Sequence, residues 1–226
     1  MELINVSFVF GGVDLIKRNA TKQRILTEAL TLFSVKGYES VTVAEIANAV
    51  GIKAPSLYKH YKSKQDIFNA ILYEMRASYD RQAASMQMNG RDAEKDQALY
   101  TGIGEDKVIE MAVDLFLYFL HDDNERKFRK MLTIEQYNNK SLADVYTRQY
   151  VDFPLYYQSA LFGLMVSAGV TVPENPQIMA LQYYAPVYLY IRLCDCQPER
   201  EAEAIQILRQ HFRQFIRIYH KKGEST

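Results

Sequence analysis

No run of eighteen apolar residues occurs in the 226-residue chain, so a membrane-spanning helix is not expected. Cysteine is scarce. Cys194 and Cys196 stand two apart, on opposite sides of any helix that carries them. A pair of reduced thiols in a cytoplasmic protein is the expected state, with a redox sensor as the lesser alternative. His60, His121, His211 and His220 are scattered, and none falls with a cysteine or carboxylate in a metal-ligand or nucleophile spacing. Gly102 and Gly104 lack the flanking strand and third glycine of a nucleotide loop. No metal, cofactor or catalytic residue is therefore expected. Net charge is also absent, with 27 basic and 27 acidic residues. Residues 1–17 begin with the apolar MELINVSFVFGGVDLI but lack the basic start and small-residue cleavage site of a signal peptide. Three readings of that extension stand: an extra arm, a strand-like surface tag, or the product of an upstream start codon.

What the chain does have is one dense stretch, VTVAEIANAVGIKAPSLYKHYKSK, over residues 41–64. Thr42 and Glu45 are spaced as a capping box, each side chain reaching the other's backbone N–H. Val43, Ile46, Ala47 and Val50 then recur at helical spacing, and Gly51 supplies the left-handed stop. Pro55 suits the first turn of a second helix, where its missing N–H costs nothing. That helix turns Leu57 and Tyr61 inward and leaves Ser56, Lys59 and His60 to solvent or a partner. Ser63 and Asp66 repeat the cap for the next helix. Two helices around a glycine turn form a helix-turn-helix, whose second helix enters the DNA major groove. A scaffold role is the bland alternative. Against it, Lys53, Ser56, Lys59, His60, Lys62 and Lys64 follow one another with no acidic residue among them. Charge counting agrees: residues 17–64 hold nine basic and three acidic side chains, so a neutral total hides one basic segment and an acidic remainder.

From residue 21 to 75 the chain resembles a TetR/AcrR-type bacterial transcriptional regulator. The resemblance rests on QRILTEALTLFSVKG, YESVTVAEIANAVGI and APSLYKHYKSKQDIFNAIL. It implies an all-α fold, with an N-terminal three-helix helix-turn-helix DNA-binding domain and a C-terminal helical domain for ligand binding and dimerisation. By position, Thr42, Tyr58, His60 and Lys64 resemble the family's phosphate contacts, and Ala54, Pro55 and Ser56 occupy the positions that face base edges. Many members carry Lys-Gly where this chain has Ala54-Pro55, which leaves Lys53 next door as the substitute cation. Lys17, Arg18 and Lys22 are placed either to enter a minor groove or to begin a solvated helix.

The expected domains are an extension over 1–17, a DNA-binding domain over 18–64, and a regulatory domain over 65–226, with a helix from about 64 to 84 joining the last two. Ile25, Leu26, Ala29, Leu32 and Phe33 form the stripe of the first helix, which stops at Gly37. Residues 88–105, with Asn89-Gly90, read as a loop with room for one short helix. Helices then follow without strands. Ser141 is expected to open one, Pro154 to kink or divide it, Asn175-Pro176 to open another, and Pro198 the last.

Tyrosine crowds this region, and an aromatic or amphipathic small molecule is expected among its helices, with Phe116, Phe119, Tyr150, Phe162, Tyr184 and Tyr188 as candidate lining. Plain aromatic core is the competing reading of the same residues. Ligand binding is expected to tilt the joining helix and shift the spacing of two reading heads. Ile178, Leu181, Ile205, Leu208, Phe212 and Phe215 are the candidate dimer interface, since one short helix reads too few bases alone. The expected protein is a cytoplasmic homodimeric repressor on a pseudo-palindromic double-stranded operator, released by an effector. A DNA-organising or partner-docking protein on the same fold is the alternative.

Overall fold

Helix α1 (Ser7–Lys36) opens the fold well upstream of the expected first helix. The structure, a computed structural model, describes residues 7–221, and the side chains of residues 7–18 and of Thr101 lie outside that description. The supposed extension is thus helical from Ser7, while the side chains of Lys17 and Arg18 fall outside the described residues. After α1 come α2 (Val43–Val50), α3 (Ala54–Tyr58) and α4 (Lys64–Ser85). Then follow α5 (Ala93–Gly102), α6 (Glu105–His121), α7 (Asp123–Glu135) and α8 (Lys140–Thr147). A π-turn (Arg148–Asp152) leads into α9 (Phe153–Ser167), then α10 (Pro176–Cys196), a 3-10 turn (Pro198–Arg200) and α11 (Glu201–Tyr219). Among the described residues the one strand-like feature is an isolated bridge between Thr171 and His220. No described helix is long and apolar enough to cross a membrane.

The chain divides into two compact units. Unit 1 runs to Met75 and includes Lys127–Glu135; unit 2 holds Arg76–Arg126 and the residues from Gln136 on. Helices α4 and α7 therefore each have residues in both. The boundary falls at Met75 rather than near residue 64, because Ile67, Phe68, Ile71 and Met75 of α4 are buried with the first unit.

In unit 1, α1 buries Ile25, Leu26, Ala29, Leu30 and Phe33, with Leu30 taking the place expected for the half-buried Leu32. Phe33, Tyr38, Phe68 and Phe128 form a chain of rings, with centroids 5.1, 5.2 and 6.5 Å apart. Ring edges and faces meet there in the tilted arrangements that aromatic quadrupoles favour. Gly37 ends α1 with φ +82°, and a Cβ there would lie 2.5 Å from Oε1 of Glu135. That carboxylate oxygen accepts the N–H of Glu39 at 3.0 Å, so α7 meets bare backbone at this turn.

In unit 2, Phe116, Ile191, Ala204, Leu208 and Phe212 form the main core, where α6, α10 and α11 meet. Asp96 of α5 is buried and accepts three bonds: from the N–H groups of Asn89 (2.6 Å) and Gly90 (2.8 Å) and from the Tyr157 hydroxyl (2.6 Å). A carboxylate so supplied with donors tolerates burial. It fixes the 88–92 turn and holds α5 to α9. Asn139, not Ser141, caps α8 through its side chain. Pro154 follows a π-turn rather than a simple kink. Asn175 caps α10 as its sequence predicts.

Gly37→Ala forces a β-carbon into a left-handed backbone and against Glu135. We expect it to lower stability by about 1–2 kcal/mol or more, read as a fall in the urea midpoint.

Candidate nucleic-acid interface and regulatory cavity

The turn that presents α3 is built from local rules. The Thr42 hydroxyl accepts the Glu45 N–H at 3.2 Å, and the Glu45 carboxylate accepts the Thr42 N–H at 2.8 Å, which completes the capping box. The same hydroxyl donates to Glu45 at 2.9 Å, so a phosphate reaching Thr42 competes for that proton. Gly51 closes α2 with φ 76°. From α1, Arg24 donates to the Val50 carbonyl at 2.6 Å, a cation placed at the C-terminal end of the α2 dipole.

Helix α3 is only five residues long. Leu57 is fully buried, and Tyr61 lies past the helix end, half-buried, with the Lys22 ammonium 5.9 Å from its ring centre. Lys53, Pro55 and Lys59 are exposed, and Tyr58 keeps 51% of its surface open. Ala54, Ser56 and His60 are half-buried. Neither Lys53 nor Lys59 pairs with a carboxylate among the described residues, which leaves both ammonium groups for anions.

Lys64 behaves differently. Its ammonium donates to the carbonyls of Tyr38 (2.8 Å) and Glu39 (3.1 Å) and sits 4.3 Å from the Tyr38 ring centre. It staples the loop before α2 to the start of α4, and only its third proton remains for a phosphate. Lys36 pairs with Glu45 at 2.8 Å. That pair and the bonds from Thr42 hold the exposed Glu45 carboxyl at about 2, below its ordinary 4.5.

Unit 2 contains a partly open cavity of about 80 Å³ and, beside it, a wider groove of about 630 Å³. Tyr100, Val108, Gln158 and Tyr183 line both. Of the expected lining residues, Phe116, Phe119 and Tyr184 face the cavity and Phe162 faces the groove. Tyr150 and Tyr188 line neither. The Tyr150 hydroxyl is buried, donating to Glu125 at 2.6 Å, and Tyr188 shares a 2.9 Å bond with Tyr146. Sequence reading missed Arg91, Tyr100 and Gln149, which also line the cavity. No spacing singles them out, because α5 and the π-turn are irregular in sequence.

The expected dimer residues separate into two sets. Leu208, Phe212 and Phe215 are buried within the subunit and Ile205 packs against the same core, so those four face inward. An amphipathic stripe shows which face is apolar and not which neighbour covers it. Ile178 and Leu181 are half-exposed on α10, in line with the exposed Leu189, while Ile207 and Ile218 project from α11. Burial also pushes the Cys194 thiol up, which disfavours a reactive thiolate.

Residues 25–71 match the family model described as bacterial regulatory proteins, tetR family. Among curated proteins, the biofilm operon icaADBC HTH-type negative transcriptional regulator IcaR of Staphylococcus epidermidis is 47% identical over 47 residues. That match takes in 21% of this chain and 25% of IcaR, so a quarter of the relative's length is spanned. Solved structures extend the likeness in fold. SmeT, the repressor of the Stenotrophomonas maltophilia multidrug efflux pump SmeDEF, superposes with TM-score 0.61 at 17% identity, covering 89% of this chain and 91% of SmeT. Its complex with triclosan gives 0.62 at 18% identity, covering 90% and 93%. The flavonoid-responsive regulator FrrA gives 0.60 at 16% identity, covering 91% and 100%.

Two outcomes are expected of this unit. Lys59→Ala should weaken binding to all DNA sequences alike and reduce the slope of log K against log salt by about one, whereas Ser56→Ala should relax preference at one or two base pairs. Footprinting and salt titration separate the two. Glu45 is depressed in the folded state, so its contribution is complete above about 4.5 and fades as pH falls toward 2. The difference in Tm between the wild type and Glu45→Gln should close across that window, and an unchanging difference would refute the capping assignment.

Proposed function

We propose, on the match of residues 25–71 to the tetR family of bacterial regulatory proteins, that the chain is a homodimeric transcriptional repressor released by a small molecule. The observation that carries the DNA half is α3: a short helix with exposed Lys53, Pro55, Tyr58 and Lys59, anchored by Leu57 and free of acidic neighbours. A base-reading edge of Ala54, Pro55 and Ser56 is too small to specify a site alone. Two copies on a pseudo-palindrome supply the rest. The outward side chains Ile178, Leu181 and Leu189 of α10, with Ile207 and Ile218 of α11, are the proposed meeting face. Obligate interfaces resemble such apolar surfaces.

The effector half is supported by the aromatic cavity of unit 2, and by neighbours of the same fold described as flavonoid-responsive and as a complex with triclosan. Helices α4 and α7, each with residues in both units, are the proposed mechanical links. A DNA-organising role without a switch is the second reading.

A reporter driven by the gene's own upstream region separates them. We expect derepression on deletion, restored by the wild type and not by Leu181→Glu, which should run as a monomer in sedimentation. Unchanged expression on deletion would favour the organising role.

A further inference from the structure

The smaller cavity of unit 2 measures about 80 Å³, whereas a space that holds a single benzene ring has roughly 150 Å³. The groove beside it measures about 630 Å³, inside the range of roughly 300–1,000 Å³ in which small-molecule sites fall. An effector therefore has room in the groove and not in the cavity. The apolar stretch of the groove comes from Leu161, Phe162 and Met165 of α9 and from Phe215 and Ile216 of α11.

Two hydroxyl-bearing side chains interrupt that surface, and neither hydroxyl has a partner among the described residues. Tyr183 of α10 stands where groove and cavity adjoin, since it lines both. Its ring packs against those of Phe162, Phe212 and Phe215, with centroids 5.7, 5.1 and 5.3 Å away. The ring is thus held in place. The one side chain bonded to Tyr183, His211, reaches its carbonyl and leaves its hydroxyl unbonded. Burial alone pushes the pKa of that hydroxyl up.

Thr171, in the turn between α9 and α10, lines the groove and not the cavity. Its hydroxyl is buried and bonds to nothing among the described residues. Backbone bonds account for its position: the Val172 N–H donates to the Tyr219 carbonyl at 2.8 Å, and the Lys221 N–H to the Val170 carbonyl at 3.0 Å. The turn is pinned to the end of α11 without help from the threonine side chain. A buried hydroxyl left without a partner is costly, and a ligand oxygen that reaches it removes the cost.

Charge selects nothing here. Glu105, Arg213 and Arg217 all line the groove, and Arg213 faces Asp106 at 3.7 Å. Both signs are present, and Gln158, Gln210 and Gln214 add neutral groups beside them.

We infer that the groove is the seat of the effector, and that its ligand is an elongated uncharged molecule, apolar along its length, with one oxygen for Tyr183 and another for Thr171. This rests on the regulatory reading above and names its ligand class and the two groups that select it.

The test titrates the full chain, by calorimetry, with straight-chain α,ω-diols from hexanediol to decanediol and with the 1-alkanol and α,ω-dicarboxylate of each length. At the length that spans the two hydroxyls, the diol should bind at least as tightly as the alkanol, although it is the less apolar molecule. It should also bind about tenfold tighter than the dicarboxylate, whose charges resist burial. Tyr183→Phe and Thr171→Val should each weaken that diol about threefold to tenfold, the scale of one hydrogen bond. Together they should restore the preference for the alkanol. Each variant trades an unpartnered hydroxyl for an apolar group of similar shape, so without ligand Tm should stay level or rise. A dicarboxylate that outbinds the diol, or an alkanol that outbinds it at every length, overturns the ligand class. Diol affinity unmoved by either substitution overturns the seat, and a fall in Tm in both variants overturns the claim that the hydroxyls are unpartnered. None of these measurements involves DNA, so their failure is distinct from a failure of promoter binding.

Discussion

A five-residue helix has no stability of its own, because closing the first turn fixes several backbone angles for a single hydrogen bond. Everything α3 offers to a partner therefore hangs on Leu57, the one side chain it buries completely. Burial of a leucine contributes on the order of 2 kcal/mol, enough to hold one turn against its neighbours. The surrounding devices remove freedom that Leu57 alone would leave. Gly51 sets the angle between α2 and α3, Arg24 ties α1 to the end of α2, and Lys64 pins the loop before α2 to the start of α4. The exposed lysines can then be spent on a ligand, since none of them is needed to hold the helix. Lys64 is the exception among the expected DNA contacts. The phosphate contact that the resemblance implies at that position would have to share an ammonium group already bonded to two carbonyls.

Local chemistry was legible in advance wherever a few neighbouring residues decide the outcome. The capping box at Thr42, the left-handed stop at Gly51, the cap at Asn175 and the run of α4 past Tyr79 all follow from short-range rules. What escaped was set by partners distant in sequence. Leu208, Phe212 and Phe215 show a clean helical period, yet that period is equally consistent with burial inside one subunit or against a second. Pro154 announced a break without saying that it would take the form of a π-turn. With seventeen tyrosines in the chain, composition could not separate Tyr184, which faces the cavity, from Tyr188, a turn further on and paired with Tyr146. The start of α1 at Ser7 was hidden by an apolar, glycine-containing segment that reads poorly as helix.

The interior of unit 2 is more polar than a helical bundle requires. Asp96 and Glu125 are both buried, and each accepts a tyrosine hydroxyl from another helix, Tyr157 and Tyr150 respectively. Such bonds hold α5 and α7 in defined places, where an all-apolar interface would let them slide. Tyr157 also lines the cavity, so that stretch of its wall is positioned by a directional bond.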